Sequence, residues 1–89
     1  MYEVILSDRA SDYYEKQPIQ IQKKINKAID SLEINPLFGP NIKTLVGKLV
    51  GLYRYRTGKI RIIYQVFESE IKVIVVEIGP RGDVYKKQK

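Results

Sequence analysis

From Leu52 to Phe67 the sequence dictates a β-hairpin. Leu52, Arg54 and Arg56 alternate with Tyr53 and Tyr55, which sends the two sets to opposite faces of a strand over Leu52–Thr57. Gly58-Lys59 supplies a two-residue turn, and Ile60–Phe67 returns as a second strand. A turn of that length fixes the register: Thr57 opposite Ile60, Arg56 opposite Arg61, Tyr55 opposite Ile62. Cross-strand partners share a face, so Arg56 and Arg61 stand side by side, with Arg54 two residues further along. Ile60, Ile62, Tyr64 and Val66 point the other way, to a face that needs covering. Like charges directly opposed are destabilising. An anion held between the two guanidinium groups resolves the conflict; so does splaying both into water, with their stems shielding the sheet. Arginine suits the first arrangement, because it binds phosphate in bidentate fashion and stays charged.

The flanking sequence supplies the cover. Tyr2–Leu6 is apolar and β-rich, and reads as a strand. Ser7 fits an N-cap, and Asp8 suits the first turn of a short helix over about Asp8–Lys16, where Ala10, Tyr13 and Tyr14 share a face. Pro18 fits the first position of a second helix. In that helix Ile21, Ile25, Ala28, Ile29 and Leu32 form one apolar stripe, and Asn35-Pro36 ends it. Leu37–Val50 reads as a loop, with a short edge strand near Lys43-Thr44-Leu45. Glu68-Ser69-Glu70 is a turn into a last strand over Ile71–Ile78, apolar on both faces apart from Lys72 and Glu77, and Gly79-Pro80 closes it. The expected fold is a single α+β domain over residues 1–89. Its order is β-α-α-β-β-β, an antiparallel meander with both N-terminal helices packed on one face and the other face partly open.

Charge is concentrated on this frame. The chain carries a formal +6, yet no acidic residue occurs between Glu33 and Glu68, while Lys43, Lys48, Arg54, Arg56, Lys59 and Arg61 all lie there. The remainder is neutral, so the whole excess sits in one segment, which suggests an anionic partner or, more simply, a solvated basic surface. The chain has no cysteine and no histidine. That excludes disulfides, thiolate metal sites, cysteine nucleophiles and a Ser-His triad, and no metal or cofactor is expected. No apolar run is long enough to span a membrane, and the N-terminus has no signal-peptide pattern, so a cytoplasmic location is expected. Among the seven tyrosines, Tyr2, Tyr13, Tyr14 and Tyr64 read as core or core rim, and Tyr53 and Tyr55 as packing. Tyr85 stands apart in a polar tail, four residues after Arg81, placed either to stack on a base or to tuck onto the sheet.

Three stretches together resemble a known family. Leu45-x-Gly47, the run from Tyr53 through Arg54, Arg56, Gly58, Arg61 and Tyr64, and the stretch from Val75 through Gly79, Arg81 and Tyr85 resemble the RelE/ParE toxins of type II toxin–antitoxin systems. The tail from Gly79 to Tyr85 looks more like the RelE branch. The resemblance covers nearly the whole chain and implies an mRNA interferase that cuts message in the ribosome and arrests translation. It also implies a cognate antitoxin, acidic in its toxin-binding part, as partner.

The chemistry so implied is attack of an RNA 2′-OH on the adjacent phosphate, which needs a proton acceptor, charge stabilisation and a proton donor. Arg61 matches the family's sheet arginine on the scissile phosphate. Arg81 matches the arginine after the last strand that stabilises the transition state or leaving group, and Tyr85 the terminal tyrosine that orients the substrate. Arg54 matches the second of two strand lysines in the family. The first of those lysines is replaced by Leu52, which leaves the general base open among Lys43, Lys48, Glu77 and Tyr85. Lys43, Lys48, Arg56, Lys59, Lys86 and Lys87 are the expected contacts to RNA and ribosome. A ParE-like inhibitor of DNA gyrase, and a weakened homologue that only binds its antitoxin, are the alternatives.

Overall fold

The computed structural model describes residues 1–47 and 51–80. Strand β1 (Glu3–Leu6) leads into α1 (Asp8–Glu15) and α2 (Ile19–Ile34), followed by β2 (Ile42–Thr44), β3 (Tyr53–Thr57), β4 (Ile60–Phe67), a 3₁₀ turn (Glu68–Glu70) and β5 (Lys72–Pro80). Ser7 caps α1 as its chemistry dictates: its hydroxyl accepts from the Ala10 N–H at 3.1 Å. The same hydroxyl donates to the Val76 carbonyl at 2.9 Å, which ties the start of α1 to β5. Pro18 is extended (ψ 159°) and caps α2 instead of opening it, so the helix begins one residue later than the sequence suggests. Asn35 ends α2 in an extended conformation imposed by Pro36, and its side-chain oxygen accepts from the N–H groups of Leu37 and Phe38.

The five strands form one sheet in the order β1-β5-β4-β3-β2. β3, β4 and β5 make the expected antiparallel meander, and β2 adds the short edge strand. β1 joins at the opposite edge, parallel to β5, so the sheet is mixed. A parallel neighbour needs a long crossover, and the helices and the meander between β1 and β5 supply it. That pairing puts Val4 beside Val73 and Leu6 beside Val75, which extends the apolar face under the helices.

Ala10 from α1 and Ile25, Ala28 and Leu32 from α2 pack on that face against Ile60, Ile62, Tyr64, Val73, Val75 and Ile78. Tyr64 is fully buried, its hydroxyl donating to the Pro36 carbonyl at 2.7 Å, and Tyr53 stacks on its ring at 5.5 Å. A bulge interrupts the ladder between β4 and β5: Tyr64 pairs with Val75, but Ile63 pairs with Glu77, which leaves Val76 as the extra residue. Strict alternation would put Glu77 on the core face with Val73 and Val75. The bulge turns Glu77 to the opposite face and returns Ile78 to the core.

Candidate nucleic-acid interface

The second face of the sheet is set by the hairpin. Gly58 adopts φ +57° at the first central turn position, which a side-chain-free residue tolerates, and the strands leave it in the register expected: Thr57 with Ile60, Arg56 with Arg61, Tyr55 with Ile62. Pairing then carries two rows across the sheet. One row runs Lys43, Arg54, Ile63, Glu77 over β2, β3, β4 and β5; the next runs Arg56, Arg61, Gly79 over β3, β4 and β5. Partners in a row share a face, so Lys43, Arg54, Arg56 and Arg61 converge on one side, opposite the helices. Gly79 contributes no side chain beside Arg61.

This face is less open than the sequence suggests. Arg54 is 5% exposed, Ile63 3% and Glu77 6%. Long arginine stems laid across a sheet exclude water from what lies between them. Glu77 accepts a 2.7 Å hydrogen bond and ion pair from Arg9 of α1, which binds its carboxylate to the helix. Among the described residues no carboxylate ion-pairs with Arg54. Arg54 and Arg56 line a cleft of about 240 Å³ with Pro40, Asn41, Ile42 and Lys43.

Lys59 is exposed at the hairpin tip, and one basic residue the sequence did not single out joins it there. The Lys24 ammonium lies 3.3 Å from where a Cβ on Gly58 would sit. Only the polar side of α2 could be read from the sequence, with nothing to say which lysine meets the turn. Arg9 was missed for the same reason. Lys48, Arg81, Tyr85, Lys86 and Lys87 lie outside the described residues, so the site is built here from Lys43, Arg54, Arg56, Lys59 and Arg61.

The tyrosines of the core supply no base. Burial, reinforced by Tyr53 and Tyr55, pushes the Tyr64 phenol far above its ordinary range, and burial raises that of Tyr13. Both stay protonated at neutral pH.

An α-helical pair thus lies on one face of a five-stranded mixed sheet, and a cationic hairpin faces the other way. Residues 4–85 match the family described as ParE toxin of type II toxin-antitoxin system, parDE, and the chain belongs to that family. No curated protein matches it in sequence. Among solved structures it is similar to the toxin–antitoxin complex RelBE2 from Mycobacterium tuberculosis, with 25% identity, 90% of this chain and 98% of that one covered, and a TM-score of 0.79. It is also similar to the archaeal RelE-RelB complex from Pyrococcus horikoshii, with 26% identity, 91% and 96% covered, and a TM-score of 0.76. The YoeB/ParE toxin from Agrobacterium tumefaciens shares the fold at 23% identity, 89% and 98% covered, and a TM-score of 0.78.

Proposed function

We propose that this toxin is a ribosome-dependent mRNA endoribonuclease, working without a metal, that arrests translation and is neutralised by an antitoxin with an acidic binding segment. The observation that carries this reading is the pair of rows that gathers Lys43, Arg54, Arg56 and Arg61 on one face. A single RNA phosphate and its neighbours fit that density of charge. Arg61 holds the scissile phosphate, Arg54 adds charge from the next row, and Arg56, Lys43 and Lys59 bind flanking phosphates. Arg81 stabilises the leaving group and Tyr85 orients the substrate, with Lys48, Lys86 and Lys87 adding contacts to RNA or ribosome. The 2′-OH attacks in line, leaving a 2′,3′-cyclic phosphate and a 5′-OH. Glu77 is engaged by Arg9, which disfavours it as the proton acceptor and leaves Lys43, Lys48 and Tyr85. The similarity to complexes of RelE with RelB supports the antitoxin partner.

A second reading, inhibition of DNA gyrase, is favoured by the ParE toxin family that the chain matches. Leu52 in place of a lysine favours a third, a homologue with weakened activity that only binds its antitoxin. Induced expression followed by primer extension on a translated reporter separates the three. Nuclease action predicts growth arrest with cuts inside codons of translated message, and about a hundredfold fewer cuts for Arg61→Ala or Arg81→Ala. Arrest with intact message and broken DNA contradicts it in favour of the gyrase reading, and no arrest points to the weakened homologue.

A further inference from the structure

Beyond Val75 the outer edge of β5 no longer has β1 as its neighbour, and α1 lies there instead. The Ser7 hydroxyl ties the start of that helix to the Val76 carbonyl, and two residues on Arg9 reaches Glu77 at 2.7 Å. Asp12, Tyr13 and Lys16 line the same cavity of about 250 Å³ with Glu77 and Ile78. Asp12 and Lys16 are opposite in sign, so the local balance rests on Arg9 and Glu77.

Glu77 is the one carboxylate in the two rows that gather Lys43, Arg54, Arg56 and Arg61. Arg61 is in register with Gly79 and Ile63 with Glu77, which makes Arg61 and Glu77 diagonal neighbours across the β4–β5 ladder. Diagonal neighbours on one face stand roughly 7–8 Å apart, within reach of long side chains. Gly79, opposite Arg61, adds no side chain there. Yet Glu77 pairs with a cation from outside the sheet, in the one ion pair between described residues. The partners are unequally placed: the Arg9 side chain is 69% exposed and Glu77 is buried. An exposed residue of α1 thus engages the single negative charge on a cationic face.

We propose that Arg9 is a positioning residue for the anion site: it holds the Glu77 carboxylate away from Arg61 and so sets how strongly the cationic face binds phosphate. The inference rests on the RNA reading for the identity of the ligand, and adds a controlling residue on α1, outside the two rows. Loss of Arg9 leaves a buried carboxylate unpaired, which is costly, and Arg61 is the diagonal neighbour that can relieve it. A Glu77–Arg61 pair then competes with any phosphate for the same guanidinium.

The test measures binding of a short 2′-O-methylated RNA and of inorganic pyrophosphate to the full-length chain, with thermal melts to confirm that each variant is folded. Arg9→Ala weakens both probes about tenfold, and the salt slope for RNA falls by about 0.7 as one phosphate contact is lost. Arg9→Lys keeps the charge and stays within about twofold of wild type. Glu77→Gln in the Arg9→Ala background restores binding to within about twofold. Arg9→Ala with Asp30→Asn, an exposed site on α2, has the same formal charge as that rescued variant and stays weak. Should Arg9→Ala fail to fold, Arg9→Gln takes its place with the same expected pattern. Wild-type affinity in the uncharged Arg9 variant overturns the inference. So does a loss that Glu77→Gln does not restore, which would make Arg9 a direct contact to the ligand, or a recovery with Asp30→Asn, which would reduce the effect to net charge. RNA and pyrophosphate binding that both ignore Arg9 remove the inference and leave the RNA reading intact. Wild-type chain that binds pyrophosphate with the full pattern but does not bind RNA does the reverse, and binding of neither probe removes both.

Discussion

The two faces of the sheet are built from alternate residues of the same strands, and they do opposite work. In β3, Tyr53 and Tyr55 pack toward the helices while Arg54 and Arg56 face away. In β4, Ile60, Ile62 and Tyr64 are sealed in the core while Arg61 joins the arginines. The helix side gains its stability from apolar burial and from the buried Tyr64 phenol bonded to the Pro36 carbonyl. The other side gathers positive charge, which opposes folding. A residue on one face therefore governs stability, and under the proposed function its sequence neighbour on the other serves binding.

Substitutions on the two faces are the way to break that contrast. The largest effect on stability belongs to Tyr64→Ala, which empties a fully buried site and costs about 4 kcal/mol, most of the stability of a small domain. Urea unfolding measures it. On the opposite face Arg61→Ala changes the unfolding free energy by about 0.5 kcal/mol or less while cleavage falls about a hundredfold. Equal losses in both measurements would merge the two roles. Tyr64→Phe keeps the ring and loses the bond to the Pro36 carbonyl, at about 1 kcal/mol. Glu77→Gln weakens the tie to exposed Arg9 and costs about 1 kcal/mol or less, since one partner remains in water.

Alkaline pH gives a finer test of the core face. The Tyr64 phenol titrates higher in the folded chain than its ordinary value of 10, so the folded state holds a proton that the unfolded chain releases. The stability this contributes is fully present below about pH 10 and is lost as pH rises through the folded value. Stability should fall above pH 10, and Tyr64→Phe should flatten that fall; an unchanged slope would place the phenol in water.

The hairpin was legible because two local signals agreed: strand alternation and a two-residue glycine turn together fix one register, so the Arg56–Arg61 pair could be named from sequence. The apolar stripe of α2 was equally plain. The parallel pairing of β1 with β5 was not, because it joins residues about seventy apart and no local pattern encodes it. The bulge at Val76 was hidden for a related reason: Val75-Val76 are alike, and only the partner strand reveals which is extra. Burial of Arg54 and the approach of Lys24 to the turn depend on how long side chains lie in three dimensions, which spacing does not record. Arg81 and Tyr85 rest on resemblance alone, as they fall outside the described residues.

The salt dependence of binding to a short 2′-O-methylated RNA, which the 2′-OH chemistry does not cut, tests the cationic face most directly. Each phosphate neutralised on a single strand contributes about 0.7 to the slope of log affinity against log salt. Lys43→Ala, Arg56→Ala and Arg61→Ala should each reduce the slope by about that amount with the urea midpoint nearly unchanged. Slopes that match the wild type in all three variants would contradict the assignment of this face to RNA.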